Sequence, residues 1–168
     1  GQFFLENKLI NFKTPKEALE NGVAMVHQEL NQCLERTITD NLFLGRYPTK
    51  FGVIDEVEIY KASIKLFKSL DMNVNPKTVM KNMSVSQRQM VEIAKAVSYN
   101  AKIIVLDEPT SSLTEREVKK LFSIVSKLRK KGISFVYISH KMDEVFDICD
   151  DVAVLRDGQM VLEKSTKD

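Results

Sequence analysis

The stretch Ile103-Ile104-Val105-Leu106-Asp107-Glu108-Pro109-Thr110 sets an apolar run directly before two adjacent carboxylates, and a proline closes it. If the run is a strand of a parallel sheet, both acids stand at its carboxyl end, where such sheets bind ligands. Neighbouring side chains leave an extended backbone in different directions, so the two acids can take separate tasks. Asp107 suits a Mg2+ held through a water, and Glu108 suits polarising the water that attacks a phosphate. Two acids at a strand end also cap turns and helices, and the motif alone leaves that reading open.

Two further strands end in polar residues of matching chemistry. Phe135-Val136-Tyr137-Ile138 runs into Ser139-His140, where a histidine can reach the same terminal phosphate as a donor. Val23-Ala24-Met25-Val26 runs into His27-Gln28, where a glutamine can orient an attacking water or touch the metal. Convergence of three such ends on one sheet edge is much less expected by chance than any one of them. The fourth feature is Met83-Ser84-Val85-Ser86-Gln87 ahead of a helix. Backbone N–H groups and the Ser84 hydroxyl at a helix N-terminus suit a phosphate, though a well-capped helix accounts for the same residues.

The elements that must position these groups follow from periodicity and punctuation. A β-hairpin is expected at the start, with Phe3-Phe4-Leu5, a turn at Asn7-Lys8, and a return through Leu9, Ile10 and Phe12. Thr14, Pro15 and Glu17 open a short helix that Gly22 ends. Thr39–Leu44 reads as a helical turn stopped at Gly45. Asp55 with Glu58 opens a longer helix whose apolar stripe is Val57, Tyr60, Ile64 and Phe67. After a loop at Asn75-Pro76, Ser86 with Gln89 is expected to cap a helix packed through Met90, Ile93, Ala94 and Val97. Residues 31–100 are thus expected to form an all-helical insertion.

The last third alternates strands with helices. Thr114 and Glu117 cap a helix striped by Val118, Leu121, Phe122, Val125 and Leu128, a helix with Val145 follows the His140 strand, and Asp157-Gly158 turns a closing hairpin. The pattern predicts an α/β domain with a mainly parallel sheet, built from residues 1–30 and 101–168.

Composition narrows the function classes. The chain has 168 residues, 43% of them hydrophobic and 29% charged, which suits one globular domain rather than a disordered segment. Its 25 basic and 23 acidic residues leave a net charge of +2, too little for a nucleic-acid module that relies on a basic field. No apolar run approaches the roughly 20 residues that span a bilayer. Cys33 and Cys149 are far apart and form no CxxC, as expected of reduced thiols in the cytosol. Only six glycines occur, and none opens a GxxxxGK[ST] phosphate loop.

Taken together, these motifs resemble the ATP-binding-cassette (ABC) ATPases over nearly the whole chain. Gln28 matches that family's Q-loop glutamine, and Ser84-Val85-Ser86-Gln87 its signature motif. Ile103 to Glu108 matches Walker B, Ser111-Ser112-Leu113-Thr114 the D-loop, and His140 the switch histidine. Met25 to Leu30, Asn41 to Arg46 and Tyr137 to Met142 are similar to the ATP-binding subunits of monosaccharide importers. The galactose/methyl-galactoside type comes first, with ribose and xylose types next. Two departures stand out: Val85-Ser86 where the signature usually has two glycines, and Thr114 where the D-loop usually has aspartate.

The resemblance implies a P-loop NTPase-like domain with an inserted helical subdomain, binding ATP and Mg2+ at the cytoplasmic face of the membrane. It implies Glu108 as base with Gln28 and His140 beside it, Asp107 and Gln28 toward the metal, and Ser84, Val85, Ser86 and Gln87 toward the phosphates with Asp107 and His140. Implied partners are integral-membrane permease subunits, a second cassette and, indirectly, a periplasmic or lipid-anchored sugar-binding protein. The family's Walker A loop lies upstream of the region matched here, so the 168 residues by themselves are expected to be inactive. The alternatives are a non-transport ATPase, such as a DNA-repair or translation-factor relative, and a degenerate regulatory cassette. The 56 positions from Gln28 to Ser84 hold no heptad run, against the coiled-coil insertion of DNA-repair relatives. The intact Asp107, Glu108 and His140 argue against degeneracy.

Overall fold

A computed structural model describes residues 2–167; Gly1 and Asp168 lie outside the described residues. The chain opens with the hairpin β1 (Phe3–Leu5) and β2 (Lys8–Ile10). Its turn falls at Glu6-Asn7, one residue earlier than expected, because both residues take positive φ, 50° and 63°, as a two-residue hairpin turn requires. Helix α1 (Pro15–Glu20) is capped by the Thr14 hydroxyl and has proline at its first position. Gly22, at φ 89°, reverses the chain into β3 (Val23–Val26).

Between β3 and the next sheet strand lie α2 (Ile38–Phe43), a small hairpin of β4 (Thr49–Lys50) and β5 (Val53–Ile54), α3 (Glu56–Ser69), a 3-10 turn at Met80–Asn82, and α4 (Val85–Ser98). The expected all-helical insertion is therefore interrupted by β4 and β5. Their strands are only two residues long, too short for an alternation signal, and Phe51-Gly52 turns them with both φ positive. Two further corrections follow. The helix α3 buries Ile59, Ser63 and Phe67, while Val57 and Tyr60 are exposed, so the inner face is rotated from the stripe expected. Ser84, not Ser86, caps α4, and Gln87, not Gln89, closes the box. Both pairs have the same spacing; the buried Met83 and Gln89 fix the choice by placing the first turn two residues earlier.

The remaining elements are β6 (Ile103–Asp107), α5 (Glu115–Arg129), β7 (Ser134–Ile138), α6 (Met142–Ile148) and the hairpin β8 (Asp151–Arg156) with β9 (Gln159–Ser165). The central sheet has the order β3-β6-β7, parallel throughout. The register places Val26 beside Leu106 and Leu106 beside Tyr137. Ala24, Val26, Ile104 and Leu106 face a core shared with Met90, Ile93 and Ala94 of α4 and Leu121, Val125 and Leu128 of α5. On the other face Met25, Val136 and Ile138 are 45%, 49% and 45% exposed. Alternation along each strand is what separates the two faces.

Candidate functional site

The parallel register brings three strand ends to one edge. Gln28 lies two residues past β3, Glu108 directly follows β6, and His140 lies two residues past β7. Nδ1 of His140 is 2.9 Å from Oε1 of Glu108. Nε2 of Gln28 is 3.5 Å from Oε2 of the same carboxylate, at the outer limit of a hydrogen bond. Glu108 thus stands between the other two. Its side chain is 28% exposed and that of His140 is 71% exposed, so the site is open to solvent.

Glu108 sits at φ 43°, a conformation that disfavours a side-chain-bearing residue by about 1–2 kcal/mol. The backbone is held there from two directions. Its N–H donates to the Ile138 carbonyl at 2.9 Å, and its carbonyl accepts from Ser111 at 3.3 Å. Such strain persists where the surroundings over-determine it, and it gathers at functional positions.

The chemistry of the pair follows from its donors. An ionised Glu108 has no proton to give, so Nδ1 of His140 is the donor. A neutral ring then carries no N–H at Nε2. To donate to a phosphate, His140 must take a second proton or turn away from Glu108. The glutamate keeps lone pairs for a water in either case.

Asp107 ends β6 beside Ile138 with its side chain half-buried. Among the described residues, no three His, Cys, Asp or Glu side chains come together as a metal cage. The donors at this edge are the oxygens of Asp107, Glu108 and Gln28. Mg2+ prefers oxygen, keeps several waters, and takes one or two carboxylates together with phosphate oxygens. The donor set therefore fits an ion that shares its coordination with phosphate oxygens.

Behind the site, a part-buried cluster joins the Glu108 loop to the His140 loop. Oε2 of Glu144 accepts from the Thr110 hydroxyl and from the Tyr137 hydroxyl, both at 2.6 Å. Lys141 donates to the Thr110 carbonyl at 3.0 Å and pairs with Oε1 of Glu144 at 3.2 Å. Burial pushes the Glu144 carboxyl up, but the bonds from Thr110, Tyr137 and Lys141 outweigh it and hold the group below the usual glutamate range. Burial and the bond to Glu144 push the Tyr137 phenol well up. Sequence reasoning missed this cluster. The one local signal was the i,i+3 spacing of Lys141 and Glu144, which is common on helix surfaces.

Ser84 caps the N-terminus of α4, and Val85, Ser86 and Gln87 form its first turn. Ser84 N–H donates to Gln87 Oε1 at 2.9 Å, and the Ser84 and Ser86 hydroxyls are 2.9 Å apart. Ser86 donates in turn to Glu117, whose other oxygen accepts from the N–H and hydroxyl of Thr114 at 2.9 and 2.8 Å. The sequence signalled Glu117 as a cap of α5; its bond to Ser86 spans 31 positions and has no local signature.

The ABC transporter family profile matches residues 1–111. The galactose/methyl galactoside import ATP-binding protein MglA of Treponema denticola is 75% identical over 164 residues, covering 98% of this chain and 33% of that protein. The protein of the same name from Pasteurella multocida is 54% identical over 161 residues, covering 96% of this chain and 32% of that one. The chain thus spans about a third of the length of these curated relatives. A nucleotide-free ATP-binding cassette from an ABC transporter superposes with a TM-score of 0.82 at 26% identity, covering 96% of this chain and 68% of that one. The ADP conformation of an ATP-binding cassette gives a TM-score of 0.81 at 27% identity, with 98% and 69% covered.

Proposed function

The chain belongs to the ABC transporter family, its fold is that of an ABC ATPase cassette, and we propose that it serves in the ATPase subunit of a bacterial monosaccharide importer. Galactose or methyl galactoside is the first candidate cargo, since both curated relatives above are named for it; ribose and xylose come next. The observation that carries the ATPase reading is Glu108 standing between Gln28 and His140 at adjacent strand ends.

In this reading Glu108 takes the proton of the attacking water. Gln28 and His140 bracket that carboxylate and limit where the water can sit. Asp107 and Gln28 would hold Mg2+, which would supply positive charge against the charge that builds on the phosphate oxygens. His140 donates to the terminal phosphate once it leaves Glu108 or gains a proton. Ser84 to Gln87 serve the nucleotide of a second cassette across a shared interface.

The permease is assigned to the region that follows Gln28. An open groove of about 1270 Å³ runs there, lined by Cys33, Tyr47, Val57 and Tyr60 among others. Val57 and Tyr60 are exposed residues of α3 that the core does not use. Among the described residues no helix is long and apolar enough to cross a membrane, so spanning falls to the partner in this reading. The assignment puts the cassette at the cytoplasmic face, with a sugar-binding protein reached through the permease.

The test is reconstitution of a chain of the relatives' length, carrying this segment, with its permease in liposomes. Sugar-stimulated ATP hydrolysis with uptake of a monosaccharide is expected. Hydrolysis that no permease or sugar alters favours the non-transport alternative.

A further inference from the structure

Both departures of this chain from the family's usual motifs meet at one carboxylate. Ser86 stands where the signature usually has glycine, and Thr114 where the D-loop usually has aspartate. Glu117 bonds to both: Oε1 accepts from the Ser86 hydroxyl, and Oε2 accepts from Thr114. The Ser86 bond is the largest cause holding the Glu117 carboxyl below the usual glutamate range.

Proton counting extends the relationship to Ser84. A hydroxyl carries one proton and two acceptor sites. The carboxylate of Glu117 has no proton, so Ser86 must spend its own on that bond. In the contact of 2.9 Å between the Ser84 and Ser86 hydroxyls, Ser84 is then the donor. Ser84 also accepts from the Gln87 N–H at 3.3 Å. Its proton is committed, and it has none to offer a phosphate oxygen.

We infer that Glu117 is a positioning residue that acts through Ser86 to hold the Ser84 hydroxyl proton turned away from an incoming phosphate. The inference rests on the reading of Ser84 as a phosphate contact. Binding of the nucleotide must break the Ser84–Ser86 bond before Ser84 can donate, so the relay opposes closure around ATP. A glycine in place of Ser86 offers Ser84 no acceptor.

The test uses a chain of the relatives' length carrying this segment, with ATP hydrolysis followed against ATP concentration. Glu117→Ala, Ser86→Ala and Ser86→Gly are each expected to lower KM for ATP by about threefold, the scale of one hydrogen bond released. Glu117→Ala in the Ser86→Gly background is expected to change KM no further. Thermal melting monitors the cap that Glu117 also gives α5: its loss lowers stability equally in both backgrounds, and structural damage raises KM rather than lowering it. Ser86→Ala keeps that cap, so it decides the matter if Glu117→Ala folds poorly. An unchanged or raised KM in Ser86→Ala overturns the inference, as does a further fall in the double variant. Absence of hydrolysis in the unsubstituted chain overturns the ATPase reading itself.

Discussion

Nδ1 of His140 lies 2.9 Å from Oε1 of Glu108, although the two residues are 32 positions apart. The contact joins the loops after two neighbouring parallel strands, and the strand register is what creates it. While His140 donates to Glu108, its ring has a second donor only as the imidazolium.

His140→Ala is expected to reduce kcat for ATP hydrolysis by about 100-fold or more, with ATP binding nearly intact, because it removes a donor rather than a binding surface. Steady-state kinetics beside a nucleotide-binding titration check this. A rise in Kd with kcat unchanged would assign His140 to binding alone.

Glu144 anchors both loops from behind, and its side chain is only 13% exposed. Glu144→Ala leaves the Thr110 and Tyr137 hydroxyls without their acceptor, at a cost of about 2–3 kcal/mol, read as a fall in Tm of roughly 5–10 °C. The pH dependence has a definite sign. The folded carboxyl is held below its ordinary value of 4.5, so its contribution is present above that value and is lost as pH falls through the lower folded pKa. Glu144→Gln should flatten the acid limb of the stability curve between those two values, and an unchanged limb would contradict the assignment.

Arg46 joins α2 to the end of α4. Its guanidinium donates to the Leu42 carbonyl at 2.8 Å and to the Ser98 carbonyl at 3.0 Å, and it lies 3.8 Å from the centre of the Tyr99 ring. Arg46→Lys keeps the charge but loses the planar fork and the stacking, and should cost about 2 kcal/mol in denaturant unfolding. A cost equal to that of an exposed lysine substitution, near zero, would contradict this.

Much of this was legible from local signals. The apolar runs at Val23–Val26, Ile103–Leu106 and Phe135–Ile138 marked the sheet, and Asp157-Gly158 marked the last hairpin by its turn chemistry, with φ of 52° and 75°. The candidate residues Gln28, Glu108 and His140 were legible because each follows such a strand. The rotated face of α3 was not, since Val57 and Tyr60 suit the helical period as well as Ile59 and Ser63 do; tertiary packing made the choice. The α4 cap was ambiguous between two overlapping S-x-x-Q spacings. The bonds Ser86–Glu117 and Thr110–Glu144 cross 31 and 34 positions between polar residues, and no periodicity encodes such pairs.

In the proposed function Glu108 is the base for ATP hydrolysis. Glu108→Gln in a chain of the relatives' length keeps the shape and removes the proton acceptor. The measurement is single-turnover hydrolysis of radiolabelled ATP with bound nucleotide counted in parallel. ATP is expected to be retained unhydrolysed, with the rate down by about 100-fold or more. Hydrolysis at the unsubstituted rate would contradict that role.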